Sequence, residues 1–117
     1  MIDLAIKQAL RSKCRHRVGA VLTAGSRVLA ASPNLRRNNP AVTFTHATFH
    51  AEIATLRRTS RTVGTRIYVA RVDANGLPQM AKPCLRCEET LTNAGIVRAS
   101  YTVNPYSVDV IKFNQRD

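Results

Sequence analysis

The 117-residue chain has no tryptophan, only three cysteines, five glycines and five prolines, and just seven acidic residues. Each scarcity excludes something. So little glycine and proline rules out a collagen-like or low-complexity chain. Three cysteines cannot all pair, and Cys84 and Cys87 stand too close for a scaffold disulfide. In a reducing compartment such a Cys-x-x-Cys unit reads as metal ligands or a redox motif. No apolar run approaches the roughly 20 residues of a membrane span. Met1-Ile2-Asp3-Leu4 lacks the basic leader and apolar stretch of a signal peptide. The expectation is a cytoplasmic, intracellular protein without a membrane partner. Its length suits a single domain, 1–117, with one core.

The shortage of acid leaves 18 basic residues, 14 of them arginine, and a net charge of +11. Such an excess favours anionic partners, nucleic acid first, and arginine is the better phosphate binder. Arginine-biased codon usage, with charges scattered over a solvated surface, would give the same count.

The chain carries no repeat and no linker. Ile2, Ala5, Ile6, Ala9 and Leu10 recur at helical spacing, which predicts a helix over 2–12. Two apolar runs, Val18–Leu22 and Val28–Ala31, flank Ala24-Gly25-Ser26 and predict a β-hairpin. Pro33 to Thr48 reads as a loop, His50 to Thr59 as a short helix and Arg66 to Val72 as a strand. Asp73-Ala74-Asn75-Gly76 is a turn followed by an extended piece to Lys82. Pro83 suits the first turn of a further helix, and Gly95 its end. Ile96 to Val103 reads as a final strand. The order α-β-β-α-β-α-β implies a sheet covered by helices, an α/β fold.

Two short motifs carry the chemistry. His50-Ala51-Glu52 lies where a loop enters a helix, and Pro83-Cys84-Leu85-Arg86-Cys87 opens the next one. One imidazole and two thiolates make three ligands and leave the fourth tetrahedral position of Zn²⁺ open, the catalytic pattern rather than the closed structural one. Cysteines at i and i+3 share a helical face, and a helix N-terminus favours thiolate over thiol. Glu52, two residues from His50, can reach a water on the metal without binding the ion. It is the candidate catalytic acid and base.

In these two motifs the sequence resembles the cytidine deaminase-like zinc deaminases, whose signature is H-x-E followed by P-C-x-x-C. Val18-Gly19-Ala20-Val21 looks like that family's first core strand, and the order of elements fits along nearly the whole chain. The resemblance implies a three-layer α/β/α sandwich with a mixed central sheet, Zn²⁺ as cofactor, and hydrolytic loss of ammonia from cytosine or, less often, adenine. It also implies that Asn34 resembles the family's sugar-contacting asparagine. The Ala51 N–H is positioned for the substrate's carbonyl. Two departures concern substrate: the insertion Asp73 to Lys82, and an end about 14 residues after the last strand, with little room for a fifth strand and helix.

Other candidates have plainer readings beside the functional ones. Cys14 reads as a half-buried thiol, and His46 as a loop histidine at the pocket mouth. Phe49 and Phe44 flank the site entry as stacking platforms or core anchors. Lys82 and Arg86 bracket the second motif and suit a substrate phosphate. Arg57, Arg58, Arg61 and Arg66 could track a phosphate backbone or form a solvated helix end. Three functions compete: a deaminase of cytosine in single-stranded DNA or RNA, favoured by the charge; a deaminase of a free nucleotide or nucleoside of the dCMP or cytidine type, or a tRNA adenosine deaminase-like enzyme; and a non-catalytic zinc-binding module. The sequence sets no oligomeric state, and a homo-oligomer fits all three.

Overall fold

A computed structural model of the chain describes residues 1–36 and 48–113. The elements run α1 (Ile2–Arg11), β1 (Arg17–Ala24), β2 (Arg27–Pro33), β3 (Leu35–Arg36), β4 (Thr48–Phe49), α2 (Ala51–Leu56), β5 (Arg66–Val72), β6 (Pro78–Gln79), α3 (Leu85–Asn93), β7 (Arg98–Asn104) and β8 (Ser107–Lys112). The main sheet is ordered β2-β1-β5-β7-β8, with β6 added against β5. Only β5 and β7 run parallel, so the sheet is mixed. No helix among the described residues is long and apolar enough to cross a membrane.

Strand alternation makes the layers. Along β1 and β5, Ala20, Leu22, Ile67 and Val69 turn to one face and pack with Ala51, Leu91 and Ile96 from the α2 and α3 side. Val21 and Ala70 turn to the other face and meet Ala5 of α1. The expected three layers are present, with one helix on one side and two on the other.

Close approach of α1 depends on Gly19. A Cβ there would fall 2.3 Å from the Ala9 nitrogen and 2.4 Å from the Ala5 carbonyl oxygen. Both are backbone atoms, so no rotamer change relieves the clash. Gly19→Ala is expected to destabilise the protein by the upper end of the roughly 1–3 kcal/mol typical of overpacking, or more. Denaturant unfolding measures this, and an unchanged midpoint would mean that α1 can slide freely on the sheet.

Helix α3 ends where its sequence requires. Gly95 adopts φ +85°, and the Gly95 and Ile96 N–H groups donate to the Thr92 and Leu91 carbonyls at 3.0 and 3.1 Å. These are the two bonds of a Schellman cap, which needs a left-handed residue.

Pro83 does not sit in the first turn of α3 as expected; the helix begins at Leu85 with Cys84 as its N-cap, and Pro83 precedes the cap. Two larger features also depart from the sequence reading. Within the expected Pro33–Thr48 loop, β3 and β4 pair as a small separate ladder. After β7 the chain makes a fifth long strand, against the expectation of little room for one. Asn104 Oδ1 accepts from the Tyr106 N–H and the Ser107 hydroxyl at 2.8 and 2.9 Å, closing a tight turn. An antiparallel return through such a turn needs no crossover helix, so a short tail suffices. Val108 and Val110 on this edge strand are exposed, and no buried stripe marks it in the sequence.

Candidate active site and metal centre

Both motifs fold as helix entries. His50 is the N-cap of α2 (φ −60°, ψ 142°) and Cys84 the N-cap of α3 (φ −67°, ψ 164°). Cys87 follows in the first turn of α3, one face with Cys84. Thr55 holds α2 against the sheet: its hydroxyl donates to the Ala51 carbonyl at 2.8 Å and also lies 3.4 Å from the Ala20 carbonyl.

The donor atoms converge. His50 Nδ1 lies 3.1 Å from Cys87 Sγ and 4.0 Å from Cys84 Sγ. All three ligand atoms fall within 4.8 Å of one another. On a tetrahedral zinc, sulfur at about 2.3 Å and nitrogen at about 2.0–2.1 Å stand about 3.6 Å apart. The observed separations bracket that value, so the residues fit the ion. Cys14 is no fourth ligand: its thiol lies against the Asn34 carbonyl at 3.5 Å, outside the cluster. Among the described residues the cluster has three donors, the catalytic type rather than the closed structural one.

Charge balance points the same way. Cys87 is 1 % exposed. Burial, followed by the Glu52 and Cys84 groups, drives its thiol far above the ordinary range. That stands opposite to the lowering expected from the N-terminus of α3. In such a place a thiol ionises only against a cation.

Glu52 is 5 % exposed and sits in the first turn of α2. Burial raises its carboxyl above the usual range, opposed by its own N–H, by His50 and by Cys87. A carboxyl moved upward and placed beside the donor cluster is suited to taking and returning protons.

These groups open onto a cavity of about 300 Å³. The structure brings Asn34, Ala51 and Lys82 into its wall together with His50, Glu52 and Cys84. The Asn34 amide is already engaged: its oxygen accepts from Ser12 Oγ at 2.5 Å and the Val18 N–H at 3.0 Å, and its nitrogen donates to the His16 carbonyl at 2.6 Å. Asn34 therefore ties the end of β2 to α1 and β1, with one amide hydrogen left over. His46 and Phe44 lie outside the described residues, as does the side chain of Phe49.

The remaining cations are less central than their spacing suggested. Arg86 is exposed and is not among the cavity residues. Arg57 and Arg58 line a separate cleft with Leu35 and Ala54. Arg66 begins β5, whereas the cavity lies at its other end, against Arg71. Sequence reading missed Arg71, His16, Val18, Met80 and Ala81. Of these only Arg71 left a signal, as a charge inside an otherwise apolar strand.

Residues 1–103 match the family described as the cytidine and deoxycytidylate deaminase zinc-binding region. Among solved structures, cytidine deaminase from Burkholderia pseudomallei superposes with a TM-score of 0.69 at 17 % identity, covering 95 % of this chain and 88 % of that one. The dCMP deaminase from the cyanophage S-TIM5, in apo form, gives 0.65 at 20 % identity, over 86 % and 77 %. A structure from studies of A-to-I editing by tRNA:A34 deaminases gives 0.57 at 29 % identity, over 86 % and 72 %. No curated protein matches the chain. The first two likenesses concern the fold.

Proposed function

The chain belongs to the cytidine and deoxycytidylate deaminase family of zinc-dependent hydrolases, and we propose that it converts cytosine to uracil in a free nucleotide or nucleoside. The observation that carries this reading is the buried Glu52 beside the His50–Cys84–Cys87 cluster, at a cavity of about 300 Å³. That volume lies at the small-molecule end of ligand pockets. Zinc held by the three residues would supply the Lewis acidity that makes water a nucleophile near neutral pH. Glu52 takes in turn the two protons that the attacking water gives up and returns one to the ring nitrogen and one to the departing amine. The Ala51 N–H, at the first position of α2, has no partner within the helix and is free to donate to the base carbonyl. Val18, Met80 and Ala81 offer apolar wall for the ring. Unpaired cysteines suit a reducing compartment, which supports a cytoplasmic setting.

A second reading, deamination within single-stranded nucleic acid, draws on the +11 charge and the 29 % identity to the tRNA:A34 deaminase structure. Against it stands the placing of Arg57, Arg58 and Arg66 away from the cavity.

Incubation of the zinc-loaded protein with dCMP, deoxycytidine, cytidine and a cytosine-bearing oligonucleotide separates the two. Faster turnover of a free nucleotide or nucleoside is expected. Preference for the oligonucleotide, with affinity falling by about 0.7 log units per log unit of salt for each phosphate met, would move the assignment to the polynucleotide.

A further inference from the structure

On β5 the side chains at Ile67 and Val69 are buried against the α2 and α3 side. Alternation puts the next residue of that face, two further on, at Arg71. A guanidinium therefore occupies a position where the pattern calls for an apolar side chain. Its Nε is buried and meets no hydrogen-bond acceptor. A buried charged donor without a partner is costly, and among the described residues none supplies an acceptor for it.

The inserted hairpin fixes this residue and brings a second cation. Asp73 accepts from the Asn75 and Leu77 N–H groups and from Gln79 Nε2, at 2.9, 3.0 and 3.0 Å, and so folds the turn. Gln79 of β6 then pairs with Arg71, beyond the stretch where β5 pairs with β7. Thr102 of β7 locks the junction, its hydroxyl donating to the Gln79 carbonyl at 2.7 Å and its carbonyl accepting from the Ala81 N–H at 2.8 Å. The next residue, Lys82, lines the same cavity as Arg71. Neither forms an ion pair with a described residue. Glu52 is the one carboxylate among the cavity residues, and the groups acting on it are its own N–H, His50 and Cys87.

We infer that Arg71 and Lys82 form an anion subsite in the cavity wall, built by the 73–82 hairpin, which takes the phosphate monoester of a cytosine nucleotide. The inference rests on the reading that this cavity receives the base. Arginine binds phosphate through paired N–H groups and lysine through a point charge, and both are held on strand or hairpin backbone. The opposing account is that Arg71 merely covers apolar wall with its stem.

The test compares wild type, Arg71→Gln and Lys82→Gln on 5′-dCMP, 3′-dCMP, deoxycytidine and a single-stranded oligonucleotide, with inorganic phosphate as competitor. Wild type is expected to favour one monophosphate over deoxycytidine, and the arm it favours locates the phosphate on the sugar. In Arg71→Gln the ratio of kcat/KM for that monophosphate to kcat/KM for deoxycytidine should fall roughly 10–100-fold, as for a lost charge-assisted hydrogen bond, mainly through KM. Lys82→Gln should lower it less. Inorganic phosphate should raise the unfolding midpoint of wild type and not of Arg71→Gln.

An unchanged ratio, or equal loss on nucleotide and nucleoside, overturns the subsite and leaves the deaminase reading standing. Dependence on Arg71 confined to the oligonucleotide overturns it in favour of a polynucleotide path. If Arg71→Gln does not fold, the Lys82→Gln ratio and phosphate competition on wild type decide. Should wild type deaminate no cytosine compound while phosphate still protects it through Arg71, the base reading falls and the subsite remains.

Discussion

Glu52→Gln is expected to lower turnover by about 10⁴-fold, the upper end for a general acid–base group, with zinc content and fold retained. The upper end follows from the number of transfers one carboxylate must serve, since the attacking water gives up both its protons, one to the ring nitrogen and one to the departing amine. Glutamine keeps the shape and the buried polar contacts but moves no proton. It should also stabilise the zinc-free protein. Burial raises the Glu52 carboxyl above its ordinary value of 4.5. The folded state therefore holds that proton more tightly than the unfolded one. Stability from this group is full below the ordinary value and is lost as pH rises through the raised value. Above that window the wild-type, zinc-free protein carries a buried charge that glutamine removes. Single-turnover kinetics, metal analysis and melting curves against pH check the three parts. Activity within a few-fold of wild type would show that another group moves the proton. A loss of zinc in step with activity would mean that Glu52 supports the metal site instead.

What could be read from the sequence was local. His50-Ala51-Glu52 and Pro83-Cys84-Leu85-Arg86-Cys87 each place their functional atoms within one helical turn, so spacing alone reports geometry. Gly25 and Gly95 mark a turn and a helix end through their positive φ, and both were legible. Strand β8 was not, because an edge strand with Val108 and Val110 exposed carries no core-facing signal. The short β3–β4 ladder escaped for a related reason, since two residues on each side are too few to show a period.

The site's far wall was missed because it is assembled across the sheet. Strand register joins Val18 of β1 to Arg71 of β5, and Ala81, just past β6, is held by its N–H bond to the Thr102 carbonyl, so spacing along the chain reports none of it. The arginines from Arg57 to Arg66 make the converse point. They follow the H-x-E motif closely in sequence, yet Arg57 and Arg58 line a separate cleft, and Arg66 begins β5 at the end away from Arg71 and the cavity.

Removing one thiol should remove the metal. Cys84→Ala is expected to purify with a small fraction of the one zinc per chain that wild type carries, and without measurable turnover. Cys84 is the instructive position because it is exposed, so its loss leaves no core cavity and the fold should persist. Cys87 is buried against Glu52, and its replacement would mix metal loss with packing loss and an unpartnered carboxylate. The two effects separate thermodynamically. A ligand that binds only the folded state stabilises it by about 4 kcal/mol at 1,000 times its dissociation constant. Chelation should therefore lower the unfolding midpoint of wild type and leave that of Cys84→Ala unmoved, while readdition of zinc restores both midpoint and turnover to wild type alone. Cys14→Ala, whose thiol lies against the Asn34 carbonyl outside the cluster, should keep full zinc. A Cys84→Ala protein with full metal would show that the ion sits elsewhere. A Cys14→Ala protein depleted of it would reveal a fourth ligand and return the site to the closed, structural class.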